Sequence, residues 1–168
     1  IDQAAIHNNA GGMYLNGCTN CVVRNSVIQN VPDAAIRIIF YSNGNLIESN
    51  IFEANDMGIV IGSPGVTGNR FYHNRFVANG AQVLDDAPTN PGAEAQTWDN
   101  GYPSGGNFWS DYTGADLKSG PDQNLPGSDG IGDTPYAVTA IAWDNYPLMG
   151  DPCPVEDITW GKLKDLFR

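Results

Sequence analysis

The stretch from Asp116 to Asp133 holds the residues whose types and spacing favour a metal site. The predicted ligands are the side chains of Asp116, Asp122, Asn124, Asp129 and Asp133 and the main-chain carbonyl of Ile131. Calcium takes about six to eight oxygen ligands of these kinds, and the intervening glycines let the main chain turn around an ion. The sequence therefore predicts bound calcium. The alternative is an acidic turn in which Asp129 and Asp133 accept hydrogen bonds from main-chain amides.

Cysteines and histidines are the other residues suited to metal binding or redox chemistry. Cys18 and Cys21 form a C-x-x-C pair, and Cys153 stands alone near the C-terminus. A thioredoxin-like role needs a helix N-terminus beside the thiol, whereas this pair lies in a turn of the predicted β-helix. Zinc or copper would need further soft ligands, and His7 and His73 lie on different predicted coils. A local disulfide and a pair of small apolar side chains both remain open for Cys18 and Cys21.

The residues suited to acid–base catalysis are not spaced as an active site requires. Asp85 and Asp86 resemble the paired carboxylates of inverting glycosidases, but adjacent residues of a strand point to opposite faces. The arginines that could act as a lyase base are Arg24, Arg37, Arg70 and Arg75. The sequence has no Ser-His-Asp order, phosphate loop or nucleotide motif. Enzymatic activity stays open, and a non-enzymatic protein is favoured.

A short pattern that recurs three times between Gly12 and Asn79, every 23 to 25 residues, supplies the elements that must position these groups. The apolar rows of the first strand are Met13, Ile36 and Ile59, then Leu15, Ile38 and Ile61, while Tyr14, Arg37 and Val60 face the other way. Further along, the predicted matches are Val22 with Ile47 and Phe71, Val27 with Phe52 and Phe76, Asn25 with Asn50 and Asn74, and Asn30 with Asn55 and Asn79. This period, with its Asn- and Gly-rich corners, predicts a parallel β-helix of about three to four coils. Its asparagines are predicted to stack as ladders or to adopt left-handed backbone angles.

The domain organisation follows from where this pattern stops. Residues 1–86 are predicted to form the coils, 87–150 a Gly-, Asp- and aromatic-rich cap with the calcium loop, and 151–168 a tail with a short amphipathic α-helix. The aromatic residues predicted to pack over the last coil are Trp98, Tyr102, Phe108, Trp109, Tyr112, Tyr136, Trp143 and Tyr146. Sugar stacking is the alternative for two or three of them. Apart from the terminal helix, the fold class is all-β.

A solenoid with so few coils exposes its core and strand edges at an open end. The chain is therefore predicted to be a piece of a longer solenoid or to meet another subunit there. Self-association through the β-helix ends, giving a homo-oligomer, is the second of these expectations.

Composition limits the partners and the location. The net charge is −11 with only 16% charged residues, which excludes nucleic acid as a partner because phosphate binding needs a basic stripe. No apolar run approaches the roughly 18 residues needed to cross a bilayer. These features are typical of an exported protein, and we predict an extracellular, cell-surface or periplasmic location.

The segments GGNFWSDYTGAD, PGSDGIGDTPY and DNYPLM carry a family resemblance. They closely resemble the C-terminal part of right-handed parallel β-helix repeat proteins of the periplasmic copper-binding NosD family. Surface proteins with carbohydrate-binding and sugar-hydrolase (CASH) repeats, a pectin lyase-like group, look similar. The resemblance covers about residues 12 to 149 and implies a right-handed β-helix.

Three functions are compatible with these observations. The favoured one is a non-enzymatic secreted or cell-surface module, stabilised by calcium, that serves as a scaffold or binds a polysaccharide or surface glycan. The alternative is a fragment of a polysaccharide-active lyase or hydrolase. The resemblance implies a second alternative, NosD-like periplasmic metal delivery, although the sequence lacks a Met, His or Cys cluster.

Overall fold

A computed structural model describes residues 1–62, 65–85 and 96–152, and all regular structure in that part is β-strand. The solenoid strands are β1 (Ala5–His7), β2 (Met13–Asn16), β3 (Val22–Arg24), β4 (Val27–Gln29), β5 (Ala34–Ile39), β6 (Leu46–Glu48), β7 (Ile51–Glu53), β8 (Met57–Ile61), β9 (Arg70–Tyr72), β10 (Arg75–Val77), β11 (Ala81–Asp85) and β12 (Phe108–Trp109). The cap strands are β13 (Lys118–Ser119), β14 (Leu125–Pro126), β15 (Tyr136–Thr139) and β16 (Ala142–Asp144).

Three parallel sheets run along the molecule, with strand orders β1-β4-β7-β10-β12, β2-β5-β8-β11 and β3-β6-β9. Successive coils add one strand to each sheet, which makes a parallel β-solenoid of about three turns and confirms the predicted fold class. The cap adds two antiparallel pairs, β13 with β14 and β15 with β16. The predicted tail helix, Asp86 and Cys153 lie outside the described residues.

The register of the first sheet agrees with the repeat. Met13 pairs with Ile36 and Ile36 with Ile59, and this column ends at Val83. The neighbouring columns are Leu15, Ile38 and Ile61, and Tyr14, Arg37 and Val60. The predicted pile of aliphatic side chains is therefore confirmed in this sheet.

The predicted register of the second and third sheets is wrong by one residue in the first coil. Val23, not Val22, pairs with Ile47, and Ile28, not Val27, pairs with Phe52. A slip of one residue moves a side chain to the other face of a strand. Accordingly Val23 is 1% exposed and Val22 is 39% exposed.

The asparagines of the first coil need the same correction. Asn25 and Asn30 do not stack under Asn50 and Asn55; they adopt left-handed backbone angles, with φ of 51° and 55°. The amides of Ser26 and Val31, one residue later, donate to the side chains of the second coil over a separation of 24 residues. Both roles predicted for asparagine occur, but at adjacent positions.

Three asparagine ladders run along the corners of the later coils. In each ladder, the side-chain oxygen of one residue accepts a hydrogen bond from the main-chain amide of the corresponding residue one coil earlier. In most steps it also accepts a hydrogen bond from the side-chain amide of that earlier residue. The rungs are Asn45, Asn69 and Gln96; Asn50, Asn74 and Asn107; and Asn55 and Asn79. Each amide nitrogen also donates to a main-chain carbonyl of the previous coil, as Asn74 does to Ile47 O at 2.8 Å. These bonds satisfy main-chain groups buried at the corners.

An aromatic column closes the core at its C-terminal end. The rings of Phe76 and Trp109 stack at 4.3 Å between centroids, and Tyr136 stacks on the other face of Trp109 at the same distance. Trp98 covers Phe71 in a parallel column. The predicted packing is wrong for Trp143, which is 49% exposed, because its neighbours in β16 are the residues that turn inward.

Cys18 and Cys21 form a disulfide at the exposed corner of the first coil. The Cys21 amide donates to Asn45 Oδ1 at 2.8 Å, so Cys21 occupies the place where the next coils carry a ladder amide. The bridge therefore fixes a corner that has no side-chain rung of its own.

Reducing this disulfide is expected to lower the free energy of unfolding by about 2 kcal/mol, because it closes a short loop in the unfolded chain. The melting temperature should fall by roughly 4–8 °C. Circular dichroism melts with and without a phosphine reductant measure the change. A double variant, Cys18→Ser with Cys21→Ser, should melt at the temperature of the reduced wild-type protein, both with and without the reductant. A wild-type melting temperature that the reductant does not change would contradict the expectation.

Candidate functional site

Asp116 organises the acidic loop that the sequence singles out. Its carboxylate accepts hydrogen bonds from Ser128 Oγ at 2.6 Å and from the amides of Asp129 and Gly130 at 3.0 and 2.9 Å. The Ser128 hydroxyl, and after it the two amides, lower the pKa of Asp116, so it is ionised at neutral pH. The carboxylate therefore ties the two ends of the loop together across its exposed mouth.

Asp133 and Asp129 have the same kind of partners. Asp133 Oδ1 accepts from the amides of Leu117 and Lys118, at 3.1 and 3.0 Å. Asp129 Oδ2 accepts from the Gly120 amide at 3.1 Å. These three carboxylates bond main-chain amides, as in the alternative of an acidic turn.

Of the other three predicted ligands, Ile131 joins this network through its amide, which donates to Asp129 Oδ1 at 3.1 Å. Asp122 and Asn124 are exposed, and the Ile131 side chain is buried. Ile131 bridges to Leu148, which fastens the loop to the end of the cap. Within the described ranges, no group of three His, Cys, Asp or Glu is placed to hold a metal ion. Calcium at the predicted ligands stays a prediction.

Gln123 is a polar residue of this loop that sequence reasoning missed. It is only 8% exposed, and its amide nitrogen donates to Gly120 O at 3.0 Å and to Asp129 Oδ2 at 3.2 Å. Its amide oxygen is buried without a hydrogen-bond partner among the described residues. Such an atom costs about 1–3 kcal/mol unless water or an ion satisfies it. A polar loop gives no sign in the sequence of which amide turns inward.

Asp144 is the second group that the sequence did not reveal. It is fully buried, and its Oδ2 accepts from the Asn107 amide at 2.7 Å and from the Trp109 indole nitrogen at 2.9 Å. Its Oδ1 accepts from the Tyr146 amide at 3.1 Å. Burial raises the pKa of Asp144 to about 7, although these three donors act in the opposite direction. The carboxylate thus terminates the ladder of Asn50, Asn74 and Asn107, the central ladder of the three.

Two of the segments that carry the family resemblance meet at Asp144. A Cβ atom on Gly106 would collide with the Asp144 carboxylate, and the Gly106 amide donates to Tyr146 O at 2.7 Å. The Leu148 amide donates to Asn107 O at 2.8 Å. The ladder step from Asn74 to Asn107 spans 33 residues instead of 24, which hides this rung from a search for a fixed period.

His73 and Ser104 are the pair in the described chain that most resembles a base and a nucleophile. His73 Nε2 lies 3.2 Å from Ser104 Oγ and 2.8 Å from the Ser104 carbonyl oxygen. A carbonyl only accepts, so Nε2 carries the proton and has no lone pair for the hydroxyl. In this arrangement the pair holds the loop after Trp98 and does not form a catalytic dyad.

Comparisons with known proteins agree with this geometry. A family model described as "Periplasmic copper-binding protein (NosD)" matches residues 1–114, which cover every coil and the segment that meets Asp144. The chain belongs to the NosD family. The acidic loop from Asp116 onward lies beyond the match. NosD membership confirms the predicted extracellular, cell-surface or periplasmic location at the level of the family.

A curated relative, "Probable ABC transporter binding protein NosD" of Stutzerimonas stutzeri, is 34% identical over 130 residues. The alignment covers 73% of this chain but 26% of the relative, so the chain spans about a quarter of that protein's length. No solved structure matches the chain. No helix in the described ranges is long and apolar enough to cross a membrane.

Copper, which the NosD description names, does not fit the described residues. The thiols of Cys18 and Cys21 are joined to each other, and His73 Nε2 is bonded to Ser104. His7 lies on β1, and His73 lies just before β10, which is three strands away from β1 in the same sheet. Copper sites need several soft or imidazole ligands that converge, and these donors do not converge.

Proposed function

We propose that this part of the NosD-family chain is a non-enzymatic scaffold module, the closed end of an exported β-solenoid. One observation carries the proposal: the central ladder ends where the Asn107 amide donates to Asp144. This contact lies beside the aromatic column, which Tyr136 covers by stacking on Trp109. A further coil on this side would have to displace the β15–β16 pair. The closure protects the core and the last strand from solvent and from edge-to-edge pairing.

The alternative, a fragment of a polysaccharide-active enzyme, lacks support from the described groups. The His73–Ser104 pair has its proton in the wrong place for catalysis. Asp85 ends β11, and Asp86, the other member of the predicted carboxylate pair, lies outside the described residues.

A reducing-sugar assay and an ultraviolet assay for unsaturated products, on neutral and acidic polysaccharides, test the scaffold role. We expect no product above a heat-unfolded control. Product formation that disappears in His73→Ala would replace the scaffold by an enzyme. A glycan array and a light-scattering mass on the same preparation test the predicted glycan binding and self-association.

Metal delivery is the second candidate, because the family match favours it. A cuprous-ion titration against a competing chelator decides whether it applies to this part of the protein. We expect no stoichiometric binding while the Cys18–Cys21 disulfide is intact. Tight one-to-one binding would transfer the family's copper role to this module.

A further inference from the structure

An exposed aromatic pair, Phe40 and Tyr41, lies at the corner that follows β5 in the second coil. Phe40 is 57% exposed and Tyr41 is 69% exposed, although Phe is among the residue types most often buried. Both have left-handed backbone angles, with φ of 46° and 55°. Such angles are unfavourable for bulky residues and are found preferentially at functional sites. The packing of the core therefore does not explain why this pair is here.

The winding of the chain does not require the pair either. The carbonyls of Cys18 and Ser42 mark equivalent positions of successive coils, because each accepts from a side-chain nitrogen of the same ladder. Between the preceding strand and this position the first coil has one residue, Gly17, whereas the second coil has both Phe40 and Tyr41. The second coil thus places two aromatic residues at a corner that a single glycine is able to turn.

The Tyr41 ring is held against the main chain of the next coil. A Cβ atom on Gly65 would lie 2.6 Å from both Cδ1 and Cε1 of this ring, so a larger residue at that position would displace the ring. Gly65 also has a φ of 79°, which favours glycine. One side of the ring is therefore fixed by the solenoid, and the rest of it faces solvent.

The sequence around this corner is uncharged in all three coils. Residues 15–23, 38–47 and 57–69 contain no Asp, Glu, Lys or Arg, although the chain carries 8 basic and 19 acidic residues. Exposed amides and hydroxyls are present in these segments instead, on Asn16, Thr19, Asn20 and Thr67. Such groups both donate and accept hydrogen bonds. The surface therefore combines flat apolar rings with neutral polar groups.

We propose that Phe40 and Tyr41 form a stacking site for an uncharged saccharide on the lateral surface of the solenoid. The rings cover the C–H face of a sugar, and the neutral side chains at the corner bond its hydroxyls. An acidic glycan does not fit, because the net charge of −11 repels it and these segments hold no Lys or Arg to attract it. A small apolar ligand does not fit either, because such ligands bind in concave pockets and this corner lies on the outside of a turn.

The sequence prediction placed sugar stacking on aromatic residues of the cap, whereas this site uses two residues of a coil. The inference adds a ligand to the scaffold role and does not depend on it, because stacking at a corner needs no catalytic group.

Affinity gel electrophoresis of the whole chain through hydroxyethyl cellulose, xylan, galactomannan and polygalacturonate tests the site. We expect at least one of the three neutral polysaccharides to retard the protein and polygalacturonate not to do so. Tyr41→Asn removes the ring and supplies a residue that tolerates the left-handed angle, and should weaken the binding about tenfold or more. Trp143→Ser, which removes an exposed ring of the cap, is the control and should change the affinity less than about twofold.

Melting temperatures show whether the Tyr41 ring serves binding or stability. Tyr41→Asn should melt at the wild-type temperature or above it, because it relieves an unfavourable backbone angle. Equal retardation of wild type and Tyr41→Asn, or equal losses in Tyr41→Asn and Trp143→Ser, would overturn the proposal. No retardation by any neutral polysaccharide would also overturn it and would leave the pair to a protein partner. If Tyr41→Asn does not fold, Phe40→Asn tests the same site with the same expected loss of binding.

This proposal and the scaffold role fail on different results. A negative gel experiment leaves the scaffold role in place. Product formation in the reducing-sugar assay would remove the scaffold role and leave the stacking site in place.

Discussion

Replacing Asp144 by alanine is expected to lower the free energy of unfolding by about 3–5 kcal/mol, the largest effect of any single change considered. The substitution leaves the Asn107 amide, the Trp109 indole and the Tyr146 amide buried without their acceptor. Each orphaned donor costs about 1–3 kcal/mol, and the costs are not fully additive. Urea unfolding followed by tryptophan fluorescence measures this loss of free energy. In a separate thermal melt, the melting temperature of the same variant should fall by about 10 °C.

Asp56→Ala is the matched control, because Asp56 is an exposed aspartate at a corner of the same solenoid. Its effect should stay within about 0.5 kcal/mol. A loss below about 1 kcal/mol in Asp144→Ala would mean that the carboxylate does not hold the cap on the coils.

The same carboxyl predicts a pH dependence with a defined sign. Burial raises the pKa of Asp144 to about 7, so the folded chain binds this proton more tightly than the unfolded chain. Its contribution to stability is therefore fully present below about pH 4 and declines as the pH rises through about 7. Relative to Asp144→Asn, which does not titrate, wild type should lose on the order of 1–3 kcal/mol between about pH 5 and 8. Parallel stability curves would contradict this titration.

Removing one rung of the central ladder, with Asn74→Ala, is expected to cost about 2–4 kcal/mol. Asn74 Oδ1 accepts from the Asn50 amide at 3.1 Å, and its nitrogen donates to Ile47 O at 2.8 Å. Both main-chain groups lie in a buried corner, and alanine offers neither partner. Chemical unfolding of the variant measures the loss.

Two further variants show whether hydrogen bonding or volume causes that loss. Asn74→Asp keeps the shape but turns a carboxylate oxygen toward the Ile47 carbonyl, so it should be at least as destabilising as alanine at neutral pH. Asn9→Ala, at an exposed asparagine, should be close to neutral. If Asn74→Asp were as stable as wild type, the ladder bonds would not be the source of stability.

The repeat predicted the solenoid because its physical cause is local. Side chains alternate along a strand, so Met13, Ile36 and Ile59 had to share a face once their spacing was recognised. Left-handed corners likewise require residues such as Asn25, which tolerates a φ of 51°. The off-by-one error at Val22 shows the limit of such reasoning. A strand of three residues with two adjacent valines does not reveal which one faces inward.

What the sequence alone determined, then, is the winding of the chain, its asparagine corners, its exported character and its resemblance to the NosD family. Only the tertiary structure brought Asn107 and Asp144 together, 37 residues apart, and turned the Gln123 amide inward. Neither contact follows from a period or a propensity. Both arise where the periodic coils end and irregular segments must satisfy the buried amides that the last coil leaves, and such a requirement is set by the folded surroundings.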